Sequence, residues 1–286
     1  MTTAFVLSGG GSLGAVQVGM LEALVERGVE PDLIVGSSVG AINGAWLAVH
    51  PGAAGVTALA EMWRGIRRGD VFPMRPVTAL AALAGRGSNL VPRDGLEKLL
   101  RRHLGPVRIE EARVPLHLVA TEVTTGRAVL LSSGGLVEAV MASAAIPGVF
   151  PPVCIGGHEL IDGGVVDNAP IAHAVRLGAT SVYVLPTGYA CALNRAPRGA
   201  LAMALHAVSL LIEQQLMRDI ERYEPSCELH VLPPLCPLDV QPSDFSRSVE
   251  LIERGHRETA AWLDGGHPLH DQSALLAFHH HAAPAA

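Results

Sequence analysis

The chain has little of what several large functional classes need. Basic residues do not exceed acidic ones: 21 Lys and Arg stand against 27 Asp and Glu, for a net charge of -6. That balance leaves no electrostatic footprint for nucleic acid, and Arg67-Arg68 and Arg101-Arg102 are only pairs. Cysteines number four, at 154, 191, 227 and 236. None forms C-x-x-C, and none has a histidine at zinc-ligand spacing. Free thiols in a reducing compartment are the expectation. The N-terminus has no basic region ahead of a long apolar run, so it does not read as a secretory signal.

Long apolar spans are missing too, although the mean hydropathy is +0.33. Residues 39–60 contain Asn43 and Pro51, residues 139–157 are interrupted by prolines, and residues 199–212 are too short. None supplies the roughly 20 apolar residues a spanning helix needs. A cytoplasmic protein is expected, able at most to touch a membrane peripherally. Aromatics make up only 4% of the chain, so the core must be built from Ala, Val, Leu and Ile.

What is present is a regular alternation of strands and helices. "TAFVL" is a short apolar strand. The stretch after it carries Leu13, Val16, Met20, Leu21 and Leu24 at helical spacing and stops at Gly28. "LIVG" is a second buried strand, and an apolar helix follows it up to Pro51. The same rhythm returns with strands near 180–185 and 228–232 and helices near 199–222 and 246–264. This layout predicts an α/β fold: three layers, with a mostly parallel central sheet and helices on both faces. No repeat or linker divides it. Residues 1–265 are expected to form one domain, with 266–286 as a flexible C-terminal tail.

Two glycine-rich turns sit at the ends of the first two strands. Gly9 to Gly14 fit G-x-G-x-x-G, the pattern of a dinucleotide phosphate loop. An NAD(P)-dependent oxidoreductase would also place an acid at the end of the second strand. Glu30 and Asp32 instead precede that strand, and its end is "GSSVG". Residues 36–40 thus read G-x-S-x-G between a strand and a helix, the setting of a nucleophile elbow. Loops at the carboxyl ends of neighbouring parallel strands face one crevice. The glycine loop could then offer backbone N–H groups to a carbonyl oxygen attacked by Ser38.

A serine nucleophile needs a base. The late histidines, His206, His230, His256, His267 and His270, carry no accompanying catalytic signal. "ELIDGGVVDNAP" places Asp162 at the end of a β-like run before two glycines. Apolar flanks of this kind bury a carboxylate and raise its pKa. Taken alone, Asp-Gly is also an ordinary turn signal.

Together, "GGGSLG", "GSSVG", "ASAAIPGVFPP" and "DGGVVDNAP" resemble the patatin-like phospholipase family in order and spacing, over residues 9 to 170. The resemblance implies a Ser–Asp dyad with Ser38 as nucleophile and Asp162 as general base. It places the oxyanion hole around Gly9, Gly10 and Gly11, and reads Asn168 and Pro170 as structural. It implies a lipid or acyl-ester substrate, hydrolysis through an acyl-enzyme, and neither metal nor cofactor. Leu13 departs from the Arg or Lys that many members carry before the last loop glycine. A non-catalytic lipid-binding protein on the same scaffold and an acyltransferase remain as alternatives, and oligomeric state is not legible. Residues 66–93 combine a short apolar run with flanking arginines, which suits a small core helix with solvated arginines first, and a lid that contacts anionic lipid second.

Overall fold

A computed structural model of the chain describes residues 1–73, 90–188, 200–236, 238 and 240–265. The tail beyond 265 and most of the 66–93 segment, including Leu80 and Leu83, lie outside the described residues.

The apolar runs become one sheet. Its strands are β1 (Thr3–Leu7), β2 (Leu33–Ser37), β3 (Leu116–Glu122), β4 (Ala128–Leu131), β5 (Val153–Ile155), β6 (His158–Asp162), β7 (Ser181–Leu185) and β8 (Glu228–Val231). The order is β5-β6-β3-β2-β1-β7-β8, with β4 also paired to β3. Pairings from β3 through β2, β1 and β7 to β8 are parallel, while β4, β5 and β6 pair antiparallel. The sheet is therefore mixed, with a parallel centre.

Side chains alternate across it as a strand's period of two requires. Phe5 and Leu7 of β1 face one layer, built on helices α1 (Gly14–Glu26), α2 (Val39–Val49), α3 (Gly52–Gly65) and α9 (Ser248–Asp264). Ala4 and Val6 face the other, built on α7 (Ile171–Arg176) and α8 (Ala200–Tyr223). Between these in sequence come α4 (Arg68–Val71), α5 (Asp94–Leu104) and α6 (Leu136–Ser143). Helices thus cover both faces, as the alternation of apolar runs predicts.

One helix end and one cysteine stand out. Helix α6 ends at Ser143, before Pro147. The reason is a competing bond: the Ala145 carbonyl accepts from Asp162 N–H at 2.9 Å, which ties the outgoing chain to β6. Cys154 and Cys227 are free thiols, but Cys236 is disulfide-bonded, which corrects the free-thiol reading at that position. Thiol content therefore no longer supports a reducing compartment. No helix among the described residues is long and apolar enough to cross a membrane.

Candidate active site

The elbow is built by sterics. β2 ends at Ser37 and α2 begins at Val39, so the chain must reverse within one residue. Ser38 takes φ 55° and ψ −123°, and among the described residues it is the one non-glycine with positive φ. Such a conformation costs on the order of 1–3 kcal/mol and persists only where surroundings impose it. The flanking glycines make the turn possible. A Cβ on Gly36 would sit 2.5 Å from the Gly40 carbonyl oxygen, and one on Gly40 would sit 2.1 Å from that of Leu7.

Strand register then delivers the partner. Ser37 pairs with Val119 of β3, and Asp162 pairs with the next β3 residue, Ala120. Two residues far apart in sequence thereby meet. Ser38 Oγ donates to Asp162 Oδ2 at 2.6 Å, and Gly164 N–H donates to Oδ1 at 2.7 Å. Both side chains are buried, at 7% and 6% exposure. Burial pushes the Asp162 pKa up to about 6, against the opposing pull of the Ser38 and Gly164 hydrogen bonds. The carboxylate is thus a stronger base than an ordinary aspartate, yet it is still ionised near neutral pH.

The glycine loop lies beside this pair. Gly9 N–H is already committed to the Asn168 carbonyl at 3.1 Å, and its own carbonyl accepts from Thr187 Oγ1 at 2.7 Å. Those bonds fix the loop and remove Gly9 as a free donor. Gly10 and Gly11 N–H groups have no acceptor among the described residues. Gly11 has φ 61°, and a Cβ there would strike the Pro242 carbonyl oxygen at 2.4 Å. Of the three loop glycines, Gly10 and Gly11 keep uncommitted N–H groups among the described residues.

Several contributors were not legible in the motifs. Ser143 accepts from Ser38 N–H at 3.1 Å and donates to the Val119 carbonyl at 2.6 Å, which clamps the strained backbone. It lies within "ASAAIPG", but nothing in that stretch points its hydroxyl at residue 38. A buried amide chain also supports the loop. Gln17 donates to the Ser8 and Leu185 carbonyls, Asn43 donates to Gln17 Oε1, and Trp63 donates to Asn43 Oδ1. Residues 241–245 press on it from far along the chain, through the Pro242 carbonyl that accepts from Ser12 N–H at 2.8 Å.

We expect Ser143→Ala to leave the buried Ser38 N–H unpaired, at a cost of about 1–3 kcal/mol in unfolding free energy. With Ser38 as the expected nucleophile, its displacement should also lower kcat/KM by roughly ten- to a hundredfold. Urea unfolding and ester kinetics on the same preparation check both. An unchanged rate would show that the elbow holds its shape without this clamp.

Other titratable residues stand apart from the dyad. Asp167, shortly after Asp162 in the chain, faces His173 at 3.6 Å instead of Ser38. His230 stacks on Tyr183, and His256 pairs with Glu26. Beyond Ser38 lies an apolar cavity lined by Ile42, Trp63, Ile66, Phe72, Phe150 and Phe245 among others. Three of the chain's five phenylalanines meet there, with Phe72 stacked on Phe150 at 5.5 Å. A larger and more open hollow of about 700 Å³, next to Arg67 and Gln241, does not reach the dyad.

Known proteins resemble this chain in sequence and fold. The sequence model of the family described as Patatin-like phospholipase matches residues 5–175. Patatin-like phospholipase domain-containing protein 6 of Mus musculus is 31% identical over 189 residues, covering 65% of this chain and 14% of that protein. Lysophospholipase nte1 of Aspergillus terreus is 30% identical over 183 residues, covering 64% of this chain and 12% of that protein. The crystal structure of VipD from Legionella pneumophila superposes with a TM-score of 0.50 at 16% identity, covering 92% of this chain and 67% of that one. That likeness is one of fold. The chain spans only a small part of the length of the curated relatives it matches. With the matched region covering both glycine turns, Ser38 and Asp162, the chain belongs to the patatin-like phospholipase family.

Proposed function

We propose that the protein is a serine acyl-ester hydrolase of lipids that works through a Ser38–Asp162 dyad. The observation that carries this reading is the 2.6 Å bond from Ser38 Oγ to a buried carboxylate, made on a strained elbow. Ser38 Oγ attacks the ester carbonyl carbon while its proton passes to Asp162. The carbonyl oxygen becomes an anion and takes up the N–H groups of Gly10 and Gly11. Each such donor is worth about 3 kcal/mol in the transition state. The N-terminal end of α2 adds its positive potential at the same place. The intermediate then collapses, the ester C–O bond breaks, and the departing alkoxide takes the proton from Asp162. A water molecule, losing a proton to Asp162, cleaves the acyl-enzyme by the same steps in reverse order.

The apolar cavity supplies the acyl site. Its free space is about 40 Å³, little more than one water's share of liquid volume. A long chain therefore enters only if the Phe72–Phe150–Phe245 cluster opens. Replacing Phe72 with Ala should move the preferred chain length upward across a series of p-nitrophenyl esters from C4 to C16. An unchanged profile would place the chain elsewhere. Ile66, Val71 and Phe72 line this cavity and belong to the arginine-flanked segment 66–93, so a peripheral lipid contact is proposed for that side.

The test is an ester panel: p-nitrophenyl esters, phospholipid and lysophospholipid, on wild type and Ser38→Ala. Hydrolysis that survives in Ser38→Ala would refute the assignment.

A further inference from the structure

The glycine loop has a second side. Behind Gly9 and Gly10 lies a cavity of about 310 Å³, lined also by Asn168, Thr187, Glu213, Leu216 and Val240. That volume is at the small end of the range for ligand pockets, about 300–1,000 Å³. Glu213 is 4% exposed, and its Oε2 has no hydrogen-bond partner among the described residues. A buried carboxyl without a partner is costly, and native chains keep few of them. The Asn168 amide also forms no side-chain hydrogen bond among the described residues, so two polar groups converge unused on one space.

Asn168 connects that space to the dyad. A Cβ on Gly9 would lie 2.5 Å from Asn168 Oδ1 and 2.9 Å from Ser38 Cβ. One on Gly164 would lie 2.7 Å from the same Oδ1 and 3.0 Å from Asp162 Oδ1. The amide therefore stands beside the carboxylate that hands its proton to the leaving oxygen. The acyl cavity borders Gly11 and Ser38, whereas this one borders Gly9, Gly10 and Asn168, so an ester reaching past Asn168 would place its two halves on opposite sides of the loop.

Chemistry limits what this half can be. Among the described residues the lining carries no Lys, Arg or His, and it carries one carboxyl. Against this described lining, a phosphate would be buried without a counter-charge and beside a like charge. Hydroxyls suit it: a carboxyl accepts from one, and an amide N–H donates to the next. Resting on the acyl-hydrolase reading, we propose that this cavity is the leaving-alcohol site and takes a neutral, hydroxyl-bearing alcohol of glyceryl type, read by Glu213 and Asn168. The lipids it selects are glycerides in preference to phospholipids.

The experiment compares three esters of one acyl chain: monoacylglycerol, methyl ester and lysophosphatidylcholine. Each is presented in matched detergent micelles to wild type, Glu213→Gln and Glu213→Leu, with a p-nitrophenyl ester as control. The readout is the ratio of kcat/KM for glyceryl over methyl ester within each protein, which cancels differences in folded fraction. We expect about tenfold or more in wild type, a ratio near one in Glu213→Leu, and partial retention in Glu213→Gln, which still bonds hydroxyls. A wild-type ratio near one, a ratio unmoved by Glu213→Leu, or preference for lysophosphatidylcholine overturns the proposal while p-nitrophenyl turnover keeps the hydrolase reading. Absence of Ser38-dependent turnover on every ester fails that reading, and the proposal with it.

Discussion

Asp162→Asn is expected to yield a folded protein that turns over esters roughly 10⁴-fold more slowly than wild type. Asn matches the shape of the side chain and can still accept from Gly164 N–H, but it cannot take the Ser38 proton. The substitution should also stabilise the fold, and only over part of the pH range. The folded carboxyl holds its proton up to about pH 6, whereas an unfolded one releases it near 3.8. Between those values the native state binds more protons, so wild-type stability falls as pH rises through that window. The loss, complete above about pH 6, is on the order of 3 kcal/mol. The substituted amide carries no charge and escapes it, so the variant should melt higher than wild type at pH 8 and equally near pH 4. Wild-type kcat/KM should decline as pH drops through about 6, where the base becomes protonated. A folded Asn variant with near-normal turnover would mean that another group accepts the proton.

Ser38→Ala is the second large effect, a loss of about 10⁴–10⁶ in kcat. It carries a spectroscopic signature as well. The Ser38 hydroxyl holds the Asp162 pKa down by hydrogen bonding to the ionised form. Without that donor, burial acts almost alone, and the carboxyl should titrate above about pH 6. Carbon-13 NMR of labelled aspartate follows this group directly. A pKa that stays in place would show that the two side chains do not interact in solution.

The pairing of Ser38 with Asp162 was legible because the two residues carry local signals. G-x-S-x-G fixes a turn by sterics, and "DGG" after a β-like run marks a strand end where close approach is needed. The layering was legible for a similar reason: short apolar runs alternate with segments of helical spacing. What sequence could not supply was the set of contacts made at long range. Ser143 reads as one more small residue until α6 is placed against β2. Gln17, Asn43 and Trp63 lie on three different helices, and their shared hydrogen bonds exist only once those helices pack. Gly9 belongs to the motif as much as Gly10 does, yet its N–H is spent on Asn168. Residues 241–245 and Glu213 lie beyond the matched region, and no spacing rule ties them to a loop at residue 9.

The acyl-enzyme claim is tested most directly by intact-mass spectrometry after reaction with a fluorophosphonate, which reacts only with an activated nucleophile. The account predicts a single adduct that maps to Ser38, absent in Ser38→Ala and formed far more slowly in Asp162→Asn. An adduct on another residue while Ser38 stays free, or none at all on a preparation that hydrolyses esters, would contradict it.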